Sequence, residues 1–181
     1  FGTIDSFHKT KFNSWKRTFE SNFFLVAKII QQLIPLSNKK VVPSIINFAG
    51  SGTNGIADNY SAYTISKIAL IKLSELIDSE NNDLKIATLG PGWYDSKLHL
   101  KTLNSKSSSG ENYNKTIIQL KKVQNEDVIK KLLKFIYWFR GNDKALVSGR
   151  NYSLINDDWE YAKIFKKLRK KDTYKLRRSG N

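Results

Sequence analysis

Tyr63 and Lys67 stand four residues apart in a segment, 60–77, whose apolar positions Ile65, Ile68, Ala69, Leu73, Leu76 and Ile77 recur at helical spacing. On a helix such a pair shares one face, which sets the ammonium of Lys67 beside the phenol of Tyr63. A free phenol titrates at about pH 10 and is a poor base near neutrality, but a neighbouring cation favours its phenolate. Tyr63 could then exchange a proton with a substrate hydroxyl or carbonyl. The spacing alone carries little weight, because lysine is frequent here and eight tyrosines would supply such a pair by chance. Its weight comes from the elements around it.

Upstream, residues 13–33 place Trp15, Phe19, Phe23, Val26, Ile30 and Leu33 on one stripe at steps of three and four, closed by Pro35. This predicts a long amphipathic helix with Asn13 or Ser14 as N-cap. Asn22 interrupts the stripe and points with it toward the interior, where an amide must find partners. Residues 41–48 (VVPSIINF) read as an apolar strand covered on both faces, and 49–55 (AGSGTNG) as a turn of small residues. Residues 84–89 form a second strand that runs into Gly90-Pro91-Gly92. Strand, helix and strand in this compass make one parallel crossover, right-handed by default.

Beyond Trp93 the periodicity loosens, and 105–110 (SKSSSG) reads as a mobile loop or the base of a lid. Asn125 is placed as the cap of a helix through Val128, Leu132, Ile136 and Phe139, and 145–155 as a last strand around Gly149. Residues 163–178 hold nine basic residues and one acid. No internal repeat is visible, nor a linker long enough to separate one domain from another.

The chain has 181 residues and a charge of 31 − 16 = +15, with 40% apolar residues, the profile of a single soluble domain. With no cysteine and two histidines, thiol redox chemistry is excluded and no metal site is expected. The longest apolar run, residues 23–27, is far short of the roughly 20 needed to cross a bilayer, so no membrane partner is expected. The absence of a secretory signal predicts a cytoplasmic setting. There is no methionine and the chain opens at Phe1, which points to the later portion of a longer product.

The ordered set of an inward Asn22, a strand ending Ile45-Ile46-Asn47-Phe48, the turn Ala49-Gly50-Ser51-Gly52, the helix segment Ser61-Ala62-Tyr63-Thr64-Ile65-Ser66-Lys67 and a strand ending Gly90-Pro91-Gly92 resembles the later two-thirds of the short-chain dehydrogenase/reductase family. The resemblance covers nearly all of 1–155. It implies an α/β fold, a Rossmann-like doubly wound parallel sheet, here lacking the first strands and the glycine-rich turn that takes the pyrophosphate. The implied organisation is a single partial domain over 1–181, with a core to residue 155 and a basic tail over 156–181. The implied activity is NAD- or NADP-dependent oxidation of a secondary alcohol or reduction of the ketone. Tyr63 would be the acid/base, Lys67 would bind ribose hydroxyls and lower the pKa of Tyr63, and Asn22 would hold a water linking Lys67 to solvent. Pro91, Gly92 and Ser96 would meet the nicotinamide end of the cofactor. Trp93 and His99 would line a substrate pocket shaped by 93–122. Pairing through helices 13–33 and 60–77 into a dimer or tetramer is also implied.

Two departures stand out. The family usually places a serine 13 residues before the tyrosine, where this chain has Gly50, so Ser51 becomes the candidate hydroxyl for the substrate oxygen. At about 30 residues per unit, two or three missing units correspond to roughly 60–90 residues. Without them the strand over 41–48 would present an open edge, and the isolated chain is expected to associate or to be poorly soluble. Both departures also support an alternative, a non-catalytic homologue or inactive fragment. The basic tail supports a lesser one, nucleic-acid or anionic-surface binding, although it could equally fold over the site and attract an anionic substrate such as a nucleotide-linked sugar.

Overall fold

Alternation along the strands decides the layers. The computed structural model describes residues 2–36, 42–50 and 52–178, so Val41 and Ser51 lie outside the described residues. Three parallel strands, β1 (Ser44–Phe48), β2 (Lys85–Gly90) and β3 (Arg150–Ser153), lie side by side in that order. Ile45, Asn47, Ile86, Thr88 and Asn151 share one face in register, while Ile46, Ala87, Leu89, Arg150 and Tyr152 share the other.

The first face is covered by α2 (Leu25–Leu33) and α3 (Ser61–Glu80), where Val26, Ile30, Leu73 and Ile77 pack on Ile45 and Ile86, and Asn47 donates to Ser74 Oγ at 3.1 Å. On the second face, Phe135 and Phe139 of α7 (Asn125–Gly141) and Ile164 and Leu168 of α9 (Ile164–Leu168) pack with Trp159 on Leu89 and Tyr152. Strand β2 is thus covered on both sides, with Ile86, Ala87, Thr88 and Leu89 all at 0% exposure. This is the expected doubly wound arrangement.

Several local expectations are corrected. The first helix starts at Phe12, after Lys11, and neither Asn13 nor Ser14 caps it. It runs as α1 (Phe12–Phe19), a π-helical turn (Glu20–Phe24) and then α2. Asn125 is the first residue of α7 rather than its cap, because its Oδ1 accepts instead from the Asp95 amide at 2.9 Å. The expected loop at 105–110 contains a helical turn, α5 (Lys106–Ser109), between α4 (Lys97–Asn104) and α6 (Glu111–Leu120). There the Ser109 hydroxyl reaches the Thr102 and Ser105 carbonyls, tying the serine-rich stretch down. The expected strand over 145–155 is shorter, because Asp143 caps a turn of helix, α8 (Lys144–Val147), and Gly149 turns the chain at φ +68° before β3 begins.

The basic tail is folded, not splayed. Arg150, 5% exposed, donates to the carbonyls of Leu146, Leu168, Lys170 and Thr173, which ties α8, α9 and the tail to β3. The Asn151 amide, on the outer side of β3, donates to the Tyr174 carbonyl at 2.8 Å. Trp159, Phe165 and Tyr174 are packed into the core and are not offered as stacking surfaces. Among the described residues, no helix is long and apolar enough to cross a membrane.

Replacing Arg150 by Met would leave these buried carbonyls without a donor. The expected outcome is a loss of about 3 kcal/mol in denaturant unfolding, with faster hydrogen exchange at the Asn151 amide. An unchanged midpoint would show that the tail does not depend on this anchor.

Candidate active site

The parallel register brings the carboxyl ends of all three strands to one rim, the place where open α/β sheets bind ligands. A cavity of about 890 Å³ opens there, lined by Phe48 to Gly50 after β1, Gly90 to Tyr94 after β2 and Ser153 at the end of β3. Asn22, Tyr63, Lys67, Pro91, Gly92, Trp93, Ser96 and His99 all line it, so eight of the nine residues singled out in the sequence meet in one space. The ninth, Ser51, lies outside the described residues.

Tyr63 and Lys67 reach the cavity from the first turns of α3, as their spacing predicts. Lys67 Nζ donates to the Phe48 carbonyl at 2.9 Å and stands 5.8 Å from the centre of the Tyr63 ring. Asn22 sits in the π turn, whose widened backbone carries its amide out of the regular stripe. It donates to Ser66 Oγ at 3.1 Å, and Ser66 donates to the Tyr63 carbonyl at 2.7 Å. Asn22 therefore holds the turn of α3 that carries the tyrosine. A second clamp, Trp15 Nε1 to Ser61 Oγ at 3.1 Å, fixes the start of that helix.

Gly50 has a steric reason to be glycine. A Cβ built there would overlap the Tyr63 hydroxyl and stand 2.6 Å from ring atoms Cε1 and Cζ. Tyr63 thus occupies the space that a side chain at position 50 would need.

The electrostatics differ from expectation. Burial pushes the Tyr63 phenol up to about 12, with Tyr94 adding to the rise, and burial also lowers the pKa of Lys67. Desolvation disfavours both charged forms and outweighs the help that Lys67 was expected to give the phenolate. The ammonium is committed to the Phe48 carbonyl and lies beside the ring.

After β2, Gly92 turns at φ +82° and the chain delivers Trp93, which stacks on His99 at 4.8 Å. His99, 8% exposed, is a buried residue of the cavity wall. Its Nδ1 lies 2.6 Å from the Tyr94 carbonyl, an acceptor only, so Nδ1 carries the ring proton and Nε2 is left as an acceptor. Burial lowers its pKa, against the pull of that carbonyl and of Asp95. Ser96 caps α4, accepting from the His99 amide at 3.3 Å. Tyr94, Lys97, Asp157, Tyr174 and Lys175 also line the cavity and were not singled out from the sequence. Tyr94 and Lys97 fall within the stretch expected to shape the pocket; for the tail residues the only signal was charge.

A family model described as Enoyl-(Acyl carrier protein) reductase matches residues 2–137. The chain belongs to the short-chain dehydrogenase/reductase family. Solved structures of like fold include the KRED1-Pglu enzyme, with TM-score 0.70 and 17% identity over 82% of this chain and 62% of that one. A short chain dehydrogenases/reductase from Saccharomyces cerevisiae gives TM-score 0.67 and 18% identity over 86% of this chain and 62% of that one. A short chain dehydrogenase from Shigella flexneri complexed with NADP gives TM-score 0.66 and 16% identity, covering 84% and 58%. The chain therefore spans 58–62% of the length of these three short-chain dehydrogenase/reductase-like structures, and at these identities the likeness is one of fold. No curated protein sequence matches it.

Two outcomes follow for this short-chain dehydrogenase/reductase site. Gly50→Ala should displace the Tyr63 ring and cost about 1–3 kcal/mol in denaturant unfolding, the usual range for overpacking. An unfolded tyrosine loses its proton near pH 10, whereas folded Tyr63 keeps it to about 12. The associated stability is fully present below pH 10 and lost as the pH rises through about 12. Tyr63→Phe should therefore lose about 2–3 kcal/mol less than the parent chain between those limits; equal alkaline slopes would refute the raised pKa.

Proposed function

We propose that this chain carries the catalytic portion of a nicotinamide-dependent oxidoreductase that interconverts a secondary alcohol and a ketone, with Tyr63 as acid/base. The observation that carries the reading is the placement of Tyr63, Lys67 and Asn22 at the carboxyl ends of β1 and β2, in the same cavity as the Gly90-Pro91-Gly92 turn.

The residues present fit a nicotinamide nucleotide. The Lys67 ammonium uses one donor on the Phe48 carbonyl, and its remaining protons suit ribose hydroxyls. Pro91, Gly92 and Ser96 supply a turn and a hydroxyl for the nicotinamide end. Similar structures from Shigella flexneri and Escherichia coli are complexed with NADP and NADPH, which supports NAD or NADP as the cofactor. When bound, such a cofactor would supply the hydride or accept it.

The protein's own contribution is the proton and the orientation. Tyr63 holds its proton at neutral pH, the state needed of the acid that protonates a ketone oxygen during reduction. Lys67, whose ammonium stands 5.8 Å from the centre of the ring, favours the phenolate as the proton leaves. Asn22 fixes the backbone of Tyr63 through Ser66 and stands ready to hold a water for the return of the proton. Ser51 is assigned the hydroxyl that polarises the substrate oxygen, because position 50 has no room for a side chain. Trp93 and His99 form the apolar and polar sides of the substrate wall. The exposed apolar residues Leu25, Ile29, Leu33, Ile65 and Leu76 on the first helices and α3 support association through those helices.

A thermal-unfolding titration of the chain with NADH and NADPH tests the cofactor reading, since a ligand of the folded state raises the midpoint. A rise with either is the expected result; none, from a demonstrably folded chain, would sink the reading for these residues. With turnover in hand, Tyr63→Phe should lower kcat by about 100-fold or more while leaving the cofactor response in place. Unchanged turnover would remove Tyr63 from the acid/base role, whereas a parent chain that binds cofactor but turns over no alcohol or ketone would favour the non-catalytic homologue.

A further inference from the structure

The charged tail ends as one wall of the cavity. Tyr174 sits at φ +59°, a left-handed conformation that a bulky residue adopts only when its surroundings hold it there. Its carbonyl accepts from the Asn151 amide, its phenol is hydrogen-bonded to Asp157, and its ring meets Tyr152 at 5.6 Å. On the other side, Arg177 pairs with Glu75 of α3 at 2.6 Å and with Asp172 at 2.8 Å. Lys175 is fixed between these two anchors, partly buried and lining the cavity.

Its ammonium makes no hydrogen bond or ion pair among the described residues. The acids in its field are engaged elsewhere: Glu75 with Arg177 and Lys72, Asp78 with Lys144. Around the cavity as a whole, Lys67, Lys97 and Lys175 face a single carboxylate, Asp157, which already accepts from the Ser153 amide and is bonded to Tyr174. Desolvation and the nearby Arg150 both work against the charge on Lys175. A partly buried cation in this position carries a desolvation cost that an anionic ligand would offset.

Resting on the oxidoreductase reading, we propose that Lys175 binds an anionic group of the substrate, a phosphoryl or a carboxylate, at the wall of the cavity that the tail forms. Leu176, beside Lys175 in the same wall, offers an apolar contact to the remainder of such a substrate.

The test is a titration of the full 181-residue chain with inorganic phosphate and, separately, with acetate, followed by NMR at the Lys175 and Leu176 amides. Saturable shifts are expected with at least one anion, and which one responds separates a phosphoryl from a carboxylate group. Lys175→Met and Lys175→Gln should weaken that binding about ten-fold or more, Lys175→Arg should retain it, and Lys28→Met, on the exposed side of α2, should leave it unchanged. No saturable shift with either anion, or neutral variants that bind like the parent, would overturn the assignment. Neither titration needs cofactor or turnover. A cofactor response without an anion response thus defeats Lys175 alone, whereas an anion response without a cofactor response defeats the oxidoreductase reading and leaves the anion site standing.

Discussion

Strand β2 has no solvent-facing side, and that constraint organises the molecule. Ile86 and Thr88 must be covered by α2 and α3, Ala87 and Leu89 by α7 and the segment that ends in α9, so helices are required on both faces. A strand of this kind also needs a neighbour on each edge, and parallel neighbours require crossovers that carry those same helices. The consequence for chemistry is direct. Parallel strands end on the same side, so the turn after β1, the turn after β2 and the end of β3 face one another across the cavity. Tyr63 and Lys67 reach that rim because α3 starts from the turn that leaves it.

Within the rim, packing and electrostatics are coupled through a single contact. Gly50 lets the Tyr63 ring lie against the backbone turn, and the burial of the ring raises the pKa of its phenol. A side chain at position 50 would push the ring outward and give it back to water. The absence of a Cβ there therefore sets where the ring lies and lets burial raise its phenol above the ordinary value. Lys67 follows the same logic: its bond to the Phe48 carbonyl stations it near the ring, and burial lowers its pKa. Burial thus acts on the pair in opposite senses, moving the Tyr63 phenol further from its phenolate while bringing Lys67 nearer its neutral form.

What could be read from the sequence was whatever periodicity and order determine. The helical spacing over 60–77 placed Tyr63 and Lys67 on one face, the apolar runs gave the strands to within a few residues, and it was the family resemblance that implied a shared site for Asn22, Pro91, Gly92, Trp93, Ser96 and His99. Several of the misreadings depend on a hydrogen-bond or steric partner that spacing does not reveal. Asn125 looked like a cap until Asp95 claimed its side chain. Serines at 105–110 looked like a loop, yet Ser109 finds the Thr102 carbonyl and becomes a member of a helical turn. The π turn at Asn22 answers to Ser66 on another helix, and the clash that excludes a side chain at position 50 comes from a ring thirteen residues away. The raised pKa of Tyr63 had no sequence signal at all, because burial is a property of the assembled wall.

The tail shows why a charge run is an incomplete description of a segment. Its nine cations suggest a solvated or nucleic-acid-binding stretch, but Ile164, Leu168 and Tyr174 are interleaved with them and are drawn into the aromatic core around Phe135, Trp138 and Trp159. Once those apolar residues are buried, several of the cations take fixed places while Lys166, Arg169, Lys170, Lys171 and Arg178 stay exposed. Arg177 is spent on α3, Lys163 and Lys167 on Asp158, and Arg150 of β3 is spent on the tail's carbonyls. Lys175 lines the cavity, held between Tyr174 in its left-handed conformation on one side and the Arg177 ion pairs on the other. The apolar residues thus decide where the charge is displayed, and an unpaired cation fixed in a concave wall acts on a ligand in a way that a mobile one on a free surface does not.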